Sequence, residues 1–453
     1  MSNAFDFAEA AVISGLYTSK TLWPTLRTLC DDFGGRFVGS DNERNAAAFI
    51  ANTLREVGLS DVHTEAFEIH GWQRGPAQLI VNEHDLGCIG LPGTPPCELT
   101  ALVMNLGAGE PDDFARVGER AKGKLALVRN VGSHRLEKYF RAVQAGCVGF
   151  IFAGTDAGCL PITGSIEFGG KPAPIPGVGI AYEAGAQLER LAARGEVRAR
   201  LHVQAKLSPA QGLNVIGDIP GSDATHFQSA SHLTLCAHYD GHDIAQGAVD
   251  NASGTVAVIE AARALMQVRD QLNIGVRVAL WSGEEMGMLG SNAYADQHKA
   301  ELKRVKFVLN CDIVSNPGSL WLGVNGVDTE RLTAHFRQLA SEQVHALEIT
   351  GNEVIVPYSD HFSFYLKGVP ALMAATPHAL KPHLGPHTPA DTLDKVDVPA
   401  LRNSAAFVAR AALHLAHNPS ILPTRHATKT EVQTALRDAG YEKLLKAQGR
   451  WQF

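Results

Sequence analysis

Hydrophobic and polar positions alternate along this chain in two rhythms. Short, continuous apolar runs occur at Leu233–Ala237, Val276–Trp281, Phe307–Cys311, Leu320–Val324 and Val369–Ala374. Runs of this length are predicted to be buried strands. Between several of them apolar residues recur three and four apart, over about 253–270, 329–343 and 399–416, which predicts helices. Strand and helix in alternation predict an α/β fold, a largely parallel mixed sheet sandwiched by helices. The first third of the chain extends this unit. Residues up to about Gly34 are expected to be helical, and Asp31 to Arg36 a loop. Ala46, Phe49, Ile50, Leu54 and Val57 then line one face of a helix capped by Asp41 and ended by Gly58, and Val62–Ile69 is a strand of alternating pattern.

The texture changes at Leu91-Pro-Gly-Thr-Pro-Pro96, where Pro and Gly mark a crossing between domains. Shorter strands follow at Leu99–Met104, Lys124–Val128, Val148–Phe152, Pro174–Ile180 and Val197–Val203, with a helix from about Ala184 to Ala193. This predicts a β-rich domain over residues 96–205, inserted into a discontinuous domain of residues 1–95 and 206–453. The insert holds no clustered acids and histidines at metal-site spacing. It is expected either to cover one side of the active site or to act as a spacer. The last thirty-odd residues look like a helical tail.

Chemistry concentrates where predicted strands end. His238 and Asp240 follow Leu233–Ala237, and alternate residues of an extended chain point the same way. A Gly-containing loop leads to Asp250, and Ser253-Gly254 opens a helix, the arrangement in which open α/β sheets bind ligands. Glu284 and Glu285 follow Val276–Trp281 among Gly, Met, Leu and Trp residues. Two adjacent carboxylates repel in low dielectric, and a cation removes the conflict. Asp312 ends an otherwise apolar strand, where an unpaired carboxylate is expensive. Tyr358, His361, His378, His383 and His387 come late, and by type alone each of these histidines is a candidate ligand. Histidines and carboxylates without a thiolate suit zinc, cobalt or manganese. The donors outnumber what one zinc takes, so two divalent ions sharing a carboxylate are expected.

Composition narrows the class. A formal net charge of −7 gives no reason to expect nucleic acid or an anionic membrane as partner. No apolar run reaches the roughly 18 residues of a membrane span. The N-terminal residues show no secretory pattern. Seven cysteines without a C-x-x-C pair suggest reduced thiols. The expected location is therefore cytoplasmic.

Taken together, His238-Tyr-Asp240, Asp250-Asn-Ala-Ser-Gly254, Glu284-Glu285, Asn310-Cys-Asp312, Ser359-Asp-His361 and His387-Thr-Pro-Ala-Asp-Thr392 resemble the co-catalytic dizinc exopeptidases of the leucyl aminopeptidase, carboxypeptidase Q and glutamate carboxypeptidase II type. The likeness extends weakly to Gly34-Gly-Arg36, and the middle segment resembles the protease-associated domain inserted in many members. The resemblance implies a zinc-exopeptidase-like fold with His238 and Asp312 on one ion, Glu285 and His387 on the other, and Asp250 bridging. It further implies Glu284 as general base and proton shuttle, Asp240 orienting His238, and a cis peptide after Asp250. Tyr358 is a candidate donor to the oxyanion. His361, His378 and His383 are not carried over as ligands. The implied activity is aminopeptidase or dipeptidase, acting on a short peptide or dipeptide, with a homo-oligomer left open. The rival readings are a non-catalytic binding module of the transferrin-receptor kind and a single-zinc glutaminyl cyclase. The complete ligand set argues against both, and the insert further against the cyclase. Recognition of a substrate carboxylate needs a cation, for which Arg331, Arg337 and Lys381 are candidates by position.

Overall fold

The computed structural model describes residues 4–167, 171–222, 227, 230–315, 318–351, 354–377 and 385–453. The main sheet has eight strands in the order Ser60–Gln73, Lys206–Ile219, Gly275–Trp281, His232–His238, Val305–Asp312, Ala371–Ala375, Ser319–Asn325, Glu348–Thr350. The four central strands run parallel, so their carboxyl ends meet along one edge of the sheet. In register, His238 lies beside Trp281 and Asp312 beside Ala375. That is why residues far apart in the chain converge there.

Both faces are covered, as alternation along a strand requires. Leu233, Leu235 and Ala237 pack with the helices Ala4–Tyr17, Ser253–Gln267 and Val398–His417 on one face. Cys236 between them points to the other face, with Trp281, Tyr294 and Phe364. Helix Asp41–Val57 begins and ends where expected, but its cap is Ser40, whose hydroxyl accepts from the Glu43 amide, and not Asp41. A short hydroxyl reaches that amide from the residue before the first turn, whereas Asp41 is already helical. Gly58 closes the helix with φ of 97°, a conformation that a side chain would strain.

A second eight-stranded sheet is formed by the insert. It begins at Ala77, earlier than residue 96, because the short strands at 77–81, 84–85 and 89–90 belong to it. The Pro/Gly stretch at 91–96 is a turn tied into that sheet, with the Leu91 amide donating to the Gly177 carbonyl. The chain passes between the sheets through a long antiparallel ribbon, paired from Ser60 with Asp218 to Gln73 with Lys206. One hydrophobic cluster joins Phe37, Phe67 and Trp72 at the ribbon to Leu79 and Leu201 of the insert and to Met286, next to Glu285. The insert is therefore packed onto the segment that carries the paired glutamates. The tail forms helices Lys429–Asp438 and Glu442–Ala447, whose Val432, Leu436 and Leu445 pack against Phe362.

No helix among the described residues is long and apolar enough to cross a membrane. All seven cysteines are free thiols.

Candidate metal centre and active site

Five sequence-identified residues converge in two donor groups. His238, Asp250 and Asp312 form one; Glu285 and His387 form the other together with His242. Asp250 lies between them. Its Oδ1 is 3.3 Å from His238 Nε2 and its Oδ2 is 3.2 Å from His387 Nε2. Asp312 Oδ1 is 3.7 Å from His238 Nε2, and Glu285 Oε2 is 3.4 Å from His387 Nε2. His238, Asp250, Glu285 and Asp312 are all buried.

The donors are held by an outer layer of contacts. Asp240 Oδ1 lies 3.4 Å from His238 Nδ1 and accepts from the Glu284 amide, while its Oδ2 accepts from the Glu285 amide. Asp240 thus sets both the imidazole, whose Nδ1 also lies 3.2 Å from its backbone carbonyl, and the paired glutamates. Asp391 accepts from the amides of Val249 and Asp250. Arg36, fully buried, donates to the carbonyls of Leu29, Gly34, Tyr239, Gln246 and Gly247. It thereby ties the N-terminal Gly34-Gly-Arg36 segment to both ends of the loop from Tyr239 to Gly247. The peptide bond between Asp250 and Asn251 is cis, as the resemblance implies. The Asn251 side chain bridges that point to the Asp312 strand, donating to the Cys311 carbonyl and accepting from the Ile313 amide.

Burial pushes the Glu284 carboxyl well up, with Asp312 and Glu285 adding to it against His238. Burial likewise raises Glu285 to about 8 and Asp391 to about 7. Burial lowers His238, but Glu284, Asp240, Asp250 and Asp312 outweigh it and raise its imidazole well above the usual range. Burial would raise Asp250, yet His238 and His387 hold it well below. So many carboxylates in one buried site call for cations. The donors fit that demand. His242 Nδ1 and Glu285 Oε1 are buried without a hydrogen-bond partner, and His238 Nε2 and His242 Nε2 face only carboxylate oxygens, a costly state that a divalent ion relieves. The residues present therefore fit divalent metal.

Sequence reasoning missed His242, which sits 2.9 Å from Glu285 Oε2 and 4.7 Å from the His387 ring centre to centre. The signal was there, since His238, Asp240 and His242 continue the same alternation. His361 is buried but belongs to neither donor group. His378, His383 and Lys381 lie outside the described residues. Arg331 and Arg337 are exposed on helix Glu330–Ser341, away from the site. Tyr358 faces the site but its hydroxyl donates to Glu137 of the insert at 2.7 Å, and its ring stacks on His134. A carboxylate is a strong acceptor, so in this arrangement Tyr358 docks the insert instead of pointing a free donor at an oxyanion.

A cavity of about 940 Å³ opens over these groups. Its floor carries Asp250, Glu284, Glu285, Asp312 and His387. The insert contributes His134, Arg135 and Glu167 to its walls, and the tail contributes Gln448, Gly449, Arg450 and Gln452. The insert is thus a wall of the site and not a spacer. It also touches the donors directly: the Thr163 amide donates to the His387 carbonyl, and Arg135 Nη1 is 3.5 Å from His387 Nδ1.

Comparison with known proteins agrees with this geometry. Residues 214–412 match the model of peptidase family M28, and residues 93–188 match the PA domain. Mouse carboxypeptidase Q is 26% identical over 332 residues, covering 69% of each chain. Leucine aminopeptidase 2 of Arthroderma otae is 30% identical over 288 residues, 62% of this chain, and the chain spans 55% of that protein's length. A zinc aminopeptidase from Bacillus subtilis, BSAP, has a structure superposing with a TM-score of 0.68 at 26% identity, covering 91% of this chain and 97% of its own. Residues 214–412 thus carry a peptidase family M28 domain, and residues 93–188 a PA domain ahead of it. The chain is a metal-dependent exopeptidase.

Proposed function

We propose that the chain is an aminopeptidase or dipeptidase that hydrolyses short peptides at a centre of two divalent ions, zinc first. One observation carries this reading: the two oxygens of Asp250 face two separate histidine–carboxylate groups. His238 and Asp312 would hold one ion, Glu285 and His387 the other, and Asp250 both. When bound, the ions polarise the scissile carbonyl and acidify the attacking water.

The chain's own residues do the rest. Glu284 lines the cavity beside the donors, where a carboxylate suits a base that accepts a proton from water and returns it to the leaving amine. Its backbone amide is anchored on Asp240, which fixes the point from which the side chain reaches the site. Asp240 also keeps His238 oriented with Nε2 toward the centre. The walls formed by the insert and the tail narrow the space over the donors, which favours short chains or chain ends.

The test is hydrolysis of a panel of dipeptides and aminoacyl anilides. Turnover abolished by a chelator, restored by zinc or cobalt, and lost in E284Q supports the reading. Chelator-insensitive turnover, or cleavage only in the interior of long chains, contradicts it.

A further inference from the structure

The tail reaches the cavity with a cation whose charge is not used. Arg450 follows helix Glu442–Ala447, and its own amide is fixed by the Leu445 carbonyl, which turns the chain back toward the site. Its side chain lines the cavity together with Glu284 and Met288. The only hydrogen-bond acceptor its guanidinium meets among the described residues is the Met288 sulfur, at 3.8 Å from Nη2, and Nε is buried with no partner. No carboxylate forms an ion pair with it among the described residues. Its flat face rests on Phe362, 5.1 Å from the ring centre, which holds the guanidinium in one plane.

Contrast this with the other cations of the chain. Arg36 is saturated with carbonyls, and Arg277 is paired with Asp218. On the insert wall, Arg135 gives Nε to the Ser165 carbonyl. Leaving a buried guanidinium nitrogen unmatched is costly, and a planar fork of donors is the geometry that carboxylates match. Burial, set against the pull of Glu167, Tyr358 and Glu284, brings its proton affinity down to about 10, so it still carries its charge at neutral pH.

We infer that Arg450, presented by the C-terminal tail, binds the free carboxylate of a short peptide substrate and makes the enzyme prefer di- or tripeptides with an unblocked C-terminus. The inference rests on the exopeptidase reading and deepens it. A peptide lying across the floor has its scissile bond over Asp250 and Glu284 while its carboxyl end meets the tail wall. A bidentate charge-assisted pair in this enclosed place rewards the free acid over its amide. Arg450 would thus fix specificity without taking part in bond cleavage.

The experiment compares a dipeptide, its C-terminal amide and an aminoacyl anilide on the wild type, R450K and R450Q, with melting temperatures for each. The wild type is expected to favour the free acid over the amide in kcat/KM by at least thirtyfold, on the order seen for a lost charge-assisted pair. In R450Q that ratio falls to near one, chiefly through KM for the acid, with R450K in between. Binding of the free acid to E284Q, measured by calorimetry, should weaken to a similar degree in E284Q/R450Q. An acid-to-amide ratio that is near one in the wild type, or is unchanged in R450Q, overturns the proposal. So does equal loss on all three substrates, which is the mark of a purely structural role in docking the tail. Absence of turnover on all three by the metal-loaded wild type overturns the exopeptidase reading and the proposal with it.

Discussion

The backbone amide of Asp250 donates to Asp391 Oδ2 at 3.1 Å, across 141 positions of sequence. Asp391 therefore sets the carboxylate that faces both donor groups, and its own C-terminal segment also carries His387. D391N keeps the shape but weakens acceptance from two amides. Metal affinity should fall about 10- to 100-fold, as for other outer partners of metal ligands. Competition with a chromogenic chelator measures it, and unchanged affinity would exclude this role.

His242 adds a second test of the centre. It is buried beside His387, with Nε2 2.9 Å from Glu285 Oε2 and Nδ1 without a hydrogen-bond partner. H242A should weaken one of two binding steps in a zinc titration and leave the other near its wild-type value, because the His238 group does not include it. Equal weakening of both steps would instead indicate a general loosening of the loop.

Tyr358 and Glu137 separate two roles for one hydroxyl. If the pair docks the insert, Y358F and E137Q should have similar, modest effects on kcat/KM, and the double variant should add little. If the hydroxyl instead serves the oxyanion, Y358F alone lowers kcat by about 10²–10³-fold. A double-mutant cycle on one dipeptide decides between them.

Lys138 gives a pH-dependent prediction. Its ammonium is buried in the insert and donates to the carbonyls of Arg129 and Val131. Burial lowers its proton affinity to about 8, below the 10.5 of an exposed lysine, with Arg141 acting in the same direction and Glu110 against it. Between those values the unfolded chain holds more protons than the folded one, so stability rises with pH in that window. Below about 8 both states are protonated and the cost of burying the charge is fully present. The melting temperature of the wild type relative to K138M should therefore climb between pH 8 and 10. A flat difference would show that the amine is not desolvated.

Much of this was legible in sequence because parallel strands end together. Each of His238, Glu285 and Asp312 follows an apolar run, and a parallel sheet forces such run ends to a common edge. What the pattern did not show depends on contacts between remote segments. Arg450 meets Met288 across 162 positions, and nothing local to the tail marks it as part of the cavity. The insert looked inert for a related reason. Its contributions to the wall come from the start of helix Arg135–Gln144 and from loop residues at 154–157 and 160–167, without metal-site spacing. The early boundary of the insert was hidden because the strands at 84–85 and 89–90 are too short to leave a pattern.

A two-ion centre with Glu284 as its base is tested by elemental analysis of purified E284Q beside the wild type, with turnover measured on the same samples. The expected result is about two divalent ions per chain in both, with turnover in the variant lower by about 10²–10⁴-fold, the usual worth of a general base. A wild type that turns over with a single ion, or an E284Q protein that keeps its activity, would contradict it.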